Sequence, residues 1–176
     1  YTVGNVVEPV TLSDPALDTL VRELLGKTAA DSIMTDELWE IEELVLPDTM
    51  TTLDDLPLFT GLKSLSLHNA GSLDLSQLAS LTALETLDLS GCTLPSSALE
   101  AICTLPELRS LNLSECALAA INPLVALTKL ETLDLSNNTI SDITALSALT
   151  ELRELHLTNN PIKSITYLNN CLKLER

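Results

Sequence analysis

The sequence predicts an α/β solenoid, a right-handed stack of short parallel strands closed at its amino end by a helix. Three observations predict it. A six-residue pattern, L-x-x-L-x-L, returns at nearly constant spacing through most of the 176 residues. Leucine dominates a chain that is 45% hydrophobic but only 2% aromatic, so a sizeable core is available and an aromatic-filled one is not. A helical apolar stripe with its own start and stop signals precedes the first repeat.

Asp14 and Pro15 open that helix: aspartate accepts hydrogen bonds from first-turn amides, and proline fits the first helical position. Leu17, Leu20, Val21, Leu24 and Leu25 then fall at i, i+3, i+4, i+7 and i+8, one apolar stripe. Gly26 and Lys27 read as the stop. A shorter turn around residues 36–40, holding Trp39, leads into a strand at Ile41. Residues 1–37 are therefore assigned to an amino-terminal segment and helical cap, which covers the apolar end that a solenoid would otherwise expose.

Residues 38–176 are assigned to the repeats, about six full units and the start of a seventh. Units begin at Ile41, Leu62, Leu84, Leu108, Leu130 and Leu152, with a fragment at Leu174; the steps are 21, 22, 24, 22, 22 and 22 residues. L-x-L has period two, so both leucines point one way and the residue between them the other. Such a strand cannot bury its apolar face alone, but neighbours stacked ~4.8 Å apart can. Return-path residues such as Ile143, Leu146 and Leu149 fill the other side of a thin core.

Three residues after the last strand leucine stands Cys92, Cys116, Asn138 or Asn160, then an apolar residue. The chain turns inward there, and a buried amide satisfies several stranded backbone groups at once, while cysteine is small and a weak donor. The 24-residue step carries "LPSSALEAIC", read as a helical turn over residues 96–103 on the convex side. Leu174, Glu175 and Arg176 open a seventh strand and stop, so the natural chain is expected to continue.

"LETLDLSNNTISDITALSALTE" from Leu130 and "LRELHLTNNPIKSITYLNNCLK" from Leu152 resemble leucine-rich repeats, in the 22-residue form of the internalins and related bacterial surface proteins. "DPALDTLVRELLGK" with "DELWEIEELVL" resembles the helical cap of secreted bacterial members of that family. The resemblance implies a leucine-rich repeat horseshoe arc with a parallel concave sheet and helical amino-terminal cap. It also implies a non-enzymatic module binding a protein, at the surface of a Gram-positive bacterium or in the secreted space. Peptide and carbohydrate are further ligand classes. The alternatives are an intracellular scaffold resembling phosphatase-regulatory repeats and a structural spacer in a larger surface protein.

Cys92, Cys103, Cys116 and Cys171 form no CxxC pair, and all four fall on expected core positions, Cys103 aligning with Val125. Buried thiols are expected; a Cys92–Cys116 disulfide is the alternative, because adjacent coils lie near the spacing a disulfide allows. The formal charge of −16 speaks against a nucleic-acid surface and against anionic lipid. No apolar run reaches the length of a membrane span. The chain starts at Tyr1 without a basic-then-apolar leader, which carries no information on its compartment. Residues 1–60 hold thirteen acids against Arg22 and Lys27, an acidic surplus that reads as a solvated end or as a docking face for a basic partner or a cation.

No cofactor, metal or catalytic constellation is expected. His68 and His156 stand four coils apart, roughly 19 Å at ~4.8 Å per coil, too far to share a metal or a proton. Neither a glycine-rich phosphate loop nor a Gly-x-Ser-x-Gly elbow occurs. The outward residues form columns: Glu43, Ser64, Thr86, Ser110, Thr132 and Glu154; then Val45, Ser66, Asp88, Asn112, Asp134 and His156; then Pro47, His68, Ser90, Ser114, Ser136 and Thr158. From these, Ser66, His68, Asp88, Asn112, Asp134 and His156 are the candidate partner-binding residues of a monomer. Asp88, Asn112 and Asp134, in one column, are also placed to hold a cation or carbohydrate hydroxyls. Glu42, Lys63, Glu85, Arg109, Glu131, Arg153 and Glu175 alternate in sign at one repeat position, an expected register-setting ladder.

Overall fold

The computed structural model describes residues 6–68 and 73–175; Arg176, in the expected seventh strand, lies outside the described residues. Six parallel strands form one sheet in sequence order: β3 (Glu43–Leu46), β4 (Ser64–Leu67), β5 (Thr86–Asp88), β6 (Ser110–Asn112), β7 (Thr132–Asp134) and β8 (Glu154–His156). The register is set by the repeat, since Leu44, Leu65, Leu87, Leu111, Leu133 and Leu155 lie side by side across it. A one-residue slip would turn every one of these leucines outward, so burial strongly specifies the register. Leu44 through Leu133 are buried; Leu155 and Leu157, in the last described coil, are half-buried.

The return paths are short 3-10 segments at Leu56–Leu58, Leu75–Ser80, Asn122–Ala126, Thr144–Ala148 and Thr166–Asn170. Leu56, Leu78, Leu124 and Leu146 from these turns meet the strand leucines in the core. The longer step folds as α3 (Ser96–Ile102), one residue shorter than expected, with Leu99 and Ile102 buried. Cys171 is buried as expected, but Cys103 is only half-buried and its repeat equivalent Val125 is 51% exposed. Cys103 caps the end of α3 and Val125 lies within the 3-10 turn Asn122–Ala126, each partly towards solvent, so repeat alignment overstated the burial of that column.

The inward turn after each of the strands β5 to β8 works as the sequence suggests. Asn138 Oδ1 accepts from the Leu118 amide at 2.9 Å, while its Nδ2 donates to the carbonyls of Leu113 at 2.8 Å and Leu135 at 2.9 Å. Asn160 repeats this one coil later, accepting from Ile140 and donating to Leu135 and Leu157. Cys92 and Cys116 reproduce the bond to the preceding coil, donating from Sγ to Leu67 and Leu89 carbonyls at 3.1 and 3.2 Å. The residue before each lies in the left-handed region: Gly91, Glu115, Asn137 and Asn159, with Ala117 there as well. Glycine and asparagine accept that conformation cheaply; glutamate and alanine do not.

The cap begins with β1 (Pro9–Val10), antiparallel to β2 (Ile33–Met34), a pair too short for any periodicity to announce. Between them runs α1 (Pro15–Leu25), and after them α2 (Thr35–Trp39). Gly26 ends α1 at φ 64°. Leu17 and Val21 are buried and Leu20 and Leu25 partly so, but Leu24, expected in the same stripe, is 54% exposed. Asp14, without exposed surface, ties α1 to the first coil. Its Oδ1 accepts from Ala16 and Leu17 amides, and its Oδ2 accepts from the Thr51 amide at 2.7 Å, the Thr51 hydroxyl at 2.8 Å and the Thr52 amide at 3.1 Å. Asp55 reciprocates by accepting from the Ser13 amide and hydroxyl, each at 2.7 Å.

Candidate binding face

Because L-x-L alternates, whatever precedes, separates or follows the two leucines is presented on the concave side. The sheet register places Ser66, Asp88, Asn112, Asp134 and His156 in one line from β4 to β8. His68 stands in the adjoining column beside Ser90. The six sequence-selected residues thus share one face, all half-buried.

Much of their hydrogen-bonding capacity serves the fold. Asp88, Asn112 and Asp134 each accept from the amide two residues on, at Ser90, Ser114 and Ser136, at 2.9, 3.0 and 2.8 Å. These bonds turn the chain as the strand ends. Asn112 Nδ2 donates to Asp88 Oδ2 at 3.1 Å, a rung between neighbouring coils. Asp134 Oδ2 keeps no partner among the described residues. His156 Nε2 lies 3.0 Å from Glu154 Oε1 on its own strand.

His68, Ser90 and Asp88 invite comparison with a hydrolytic relay, and the geometry is wrong for one. Ser90 Oγ at 2.9 Å and Asp88 Oδ1 at 3.7 Å both approach the same ring nitrogen, Nδ1. A relay needs the hydroxyl and the carboxylate on opposite nitrogens. Cys103 and Cys116 are no nucleophiles either: burial pushes their thiols up to about 12, far from the thiolate at neutral pH. Among the described residues, no three His, Cys, Asp or Glu side chains gather as a metal site. The face offers fixed hydrogen-bonding groups and negative charge, the chemistry of recognition.

The alternating ladder lies along the edge of this face. Lys63 pairs with Glu42 at 2.5 Å, Arg109 with Glu131 at 2.7 Å, and Arg153 reaches Glu131 at 3.5 Å and Glu175 at 3.6 Å. Glu85 acts on Lys63 and Arg109 only through space. A second ladder, unnoticed in the sequence, runs two residues before it: Lys129 with Glu107 at 2.8 Å and Lys173 with Glu151 at 2.5 Å. The signal was there in the repeat, since Glu107, Lys129, Glu151 and Lys173 share one position with alternating sign.

Sequence reasoning also passed over the first coil. Val45 and Pro47 head two columns that are otherwise polar, and with Ala16, Leu20 and Glu23 of α1 they line an open recess of about 350 Å³. A second apolar recess, of about 280 Å³, lies between α3 and the following coil, lined by Leu94, Leu99, Leu118 and Pro123 among others. Among the described residues, no helix is long and apolar enough to cross a membrane.

Family models describing leucine-rich repeats match residues 106–148, 128–170 and 83–105. No curated protein matches the chain by sequence. Among solved structures, the chain is similar to internalin C2 of Listeria monocytogenes, with 32% identity and a TM-score of 0.83 over 92% of this chain and 71% of that one. It is similar also to an internalin (inlF) of Listeria monocytogenes, at 28% identity and a TM-score of 0.82, over 98% of this chain and 52% of the other. A more distant likeness, at 27% identity and a TM-score of 0.55, is to the leucine-rich repeat ectodomain of the plant membrane receptor kinase GASSHO1/SCHENGEN3 from Arabidopsis thaliana, in complex with CASPARIAN STRIP INTEGRITY FACTOR 2; it covers 78% of this chain and 21% of that one.

Proposed function

Since the chain belongs to the leucine-rich repeat family, in its bacterial internalin-like form, we propose that it is a non-enzymatic recognition module that binds a protein through its concave face. The observation that carries the reading is the sheet itself: six strands in unbroken register present one largely polar face. A rigid sheet holds such groups in fixed positions, so little ordering cost is left for the moment of binding. The plant ectodomain, solved with a partner, supports the same use of the fold. We place the module outside a bacterial cell, secreted or displayed on the surface; the internalin likeness supports this setting. Protease treatment of intact cells would remove a displayed chain and spare a cytoplasmic one.

An array of extracellular proteins probed with three forms tests the binding reading. The forms are the unaltered chain, an Asp88→Lys/Asp134→Lys variant of the face, and a Glu100→Lys variant on α3. Partners kept by the α3 variant and lost by the sheet variant support the concave face. Partners kept by both variants, or cleaved or modified on contact, overturn the reading.

A further inference from the structure

The first coil departs from the rest of the face. Val45 is 56% exposed where later coils carry Ser66, Asp88, Asn112, Asp134 and His156, and Pro47 precedes a column of His, Ser and Thr. Nothing in the strand requires an apolar residue at either position, because the other coils manage without one. Across from them stands α1, whose Leu20 is only partly buried and whose Leu24, one turn on, is 54% exposed. Val45, Pro47, Leu20 and Ala16 supply the apolar lining of the recess at the amino-terminal end of the sheet, and Leu24 lies outside it. Exposed apolar surface rimmed by polar groups marks a contact site.

Charge says what covers it. The bases up to the second coil are already engaged: Arg22 with Asp18, Lys27 with Glu37 and Lys63 with Glu42. Glu23 in the recess wall, Glu43 two residues before Val45 on the same face, and Asp48 just after Pro47 pair with no cation among the described residues. Covering the recess with a neutral segment would strip water from Glu23 without compensation, and an acidic segment would be repelled by it and by Glu43 and Asp48, which stand next to the lining residues in the chain. A cationic segment answers both demands.

We propose that this recess anchors the partner on the concave face and receives a basic peptide segment of it. One aliphatic side chain seats on Val45, Leu20 and Pro47, and flanking lysines or arginines pair with Glu23, Glu43 and Asp48. The recess of about 350 Å³ lies at the small end of the range of ligand pockets, which suits one side chain rather than a cofactor. The proposal rests on the concave-face reading and adds where the anchor lies and which chemistry it selects.

Three short synthetic peptides, titrated into the whole isotope-labelled chain, test it: a central leucine flanked by lysine and arginine, the same peptide with serine for leucine, and the same with glutamate for each base. The first is expected to shift amide resonances clustered at residues 16–24 and 43–49, more weakly as salt rises. The serine and glutamate peptides are expected to bind at least ~10-fold more weakly, the loss typical of a central anchor. Val45→Ser and Glu43→Lys, at exposed positions, are each expected to weaken binding several-fold without lowering the melting temperature. Equal binding by the serine peptide would overturn the apolar anchor. Shifts confined to residues 66–156 would overturn the location while leaving the concave-face reading intact. No shift with any peptide would overturn the proposal outright, the array experiment deciding the broader reading by itself.

Discussion

Replacing Asp14 with asparagine should loosen the cap from the first coil, and the loss should fade in acid. The Asp14 carboxylate accepts five hydrogen bonds, two within α1 and three from Thr51 and Thr52. Burial pushes its pKa up, but the Thr51 amide and hydroxyl, with the Leu17 and Thr52 amides, outweigh it and hold the group at about 2, against the usual 3.8. A shift of that size is worth up to about 2.5 kcal/mol. Asp14 sits just beneath the surface, where solvent screens, so roughly 1.5–2.5 kcal/mol is the fair range. Because the folded pKa is depressed, this stabilisation is complete above ~pH 5 and is lost progressively as pH falls through 3.8 towards 2. Asparagine keeps one acceptor and has no charge to titrate.

The assay is urea unfolding of both forms at neutral pH and at steps down to about pH 2. The difference between the two forms is the diagnostic quantity, since Asp31, Glu37, Glu107 and Glu151 are also held low by their partners and make the unaltered chain acid-sensitive regardless. At neutral pH the variant should melt about 3–10 °C lower, a few degrees per kcal/mol for a chain of this size. A solenoid can open at one end, so amide exchange at Thr51 and Thr52 should accelerate before exchange in the central strands. A gap between the forms that stays constant from neutral pH to pH 2, or no gap at neutral pH, would refute the assignment of this carboxylate as the charged latch.

Asn138→Ala should cost about 3 kcal/mol in urea unfolding, because it strands the Leu118 amide and two carbonyls in the core. Asn138→Cys should cost visibly less, since Cys116 already makes the bond to the preceding coil that it would inherit. Glu115→Gly should stabilise the protein by about 0.5–1 kcal/mol, relieving a left-handed glutamate at φ 61°; a loss of stability would contradict the strain. Arg109→Glu should lower the melting temperature slightly at low salt by removing the contact to Glu131, and the effect should shrink as salt rises; no change at low salt would count against the ladder.

The repeat was legible because it is enforced by burial. Leu65, Leu87, Leu111 and Leu133 must face inward on consecutive coils, so their spacing writes the register directly into the sequence. Asn138 and Asn160 were legible for a similar reason, one amide doing the same work in each of two consecutive coils. Features resting on tertiary contact were not. The strands Pro9–Val10 and Ile33–Met34 are held by the Thr35 amide and hydroxyl reaching the carbonyls of Glu8 and Val6, which leaves no periodic trace. Leu24 fits the helical stripe as well as Leu17 does, and only the position of the first coil decides which is covered. The candidate face was legible as a list of outward residues, but not how far Asp88, Asn112 and Asp134 are committed to their own strand ends.

That commitment bears on where specificity can reside. A group that turns its own strand end is rigid, and its remaining capacity for a ligand is small. Every coil from β5 to β7 spends its central outward residue in this way, so those coils present similar surfaces. Discrimination between partners therefore falls to positions where the coils differ: Val45 and Glu43 at one end, and the paired His156 and Glu154 at the other. Of these, the amino-terminal end alone adds a helix beside the sheet, and Asp14 fixes that helix by bonds to Thr51 and Thr52, a few residues beyond Pro47. The latch that contributes to acid stability thus also ties the helix carrying Leu20 to the coil carrying Val45. An Asp14→Asn chain that remains folded should consequently lose affinity for the leucine-centred basic peptide, although Asp14 touches none of it.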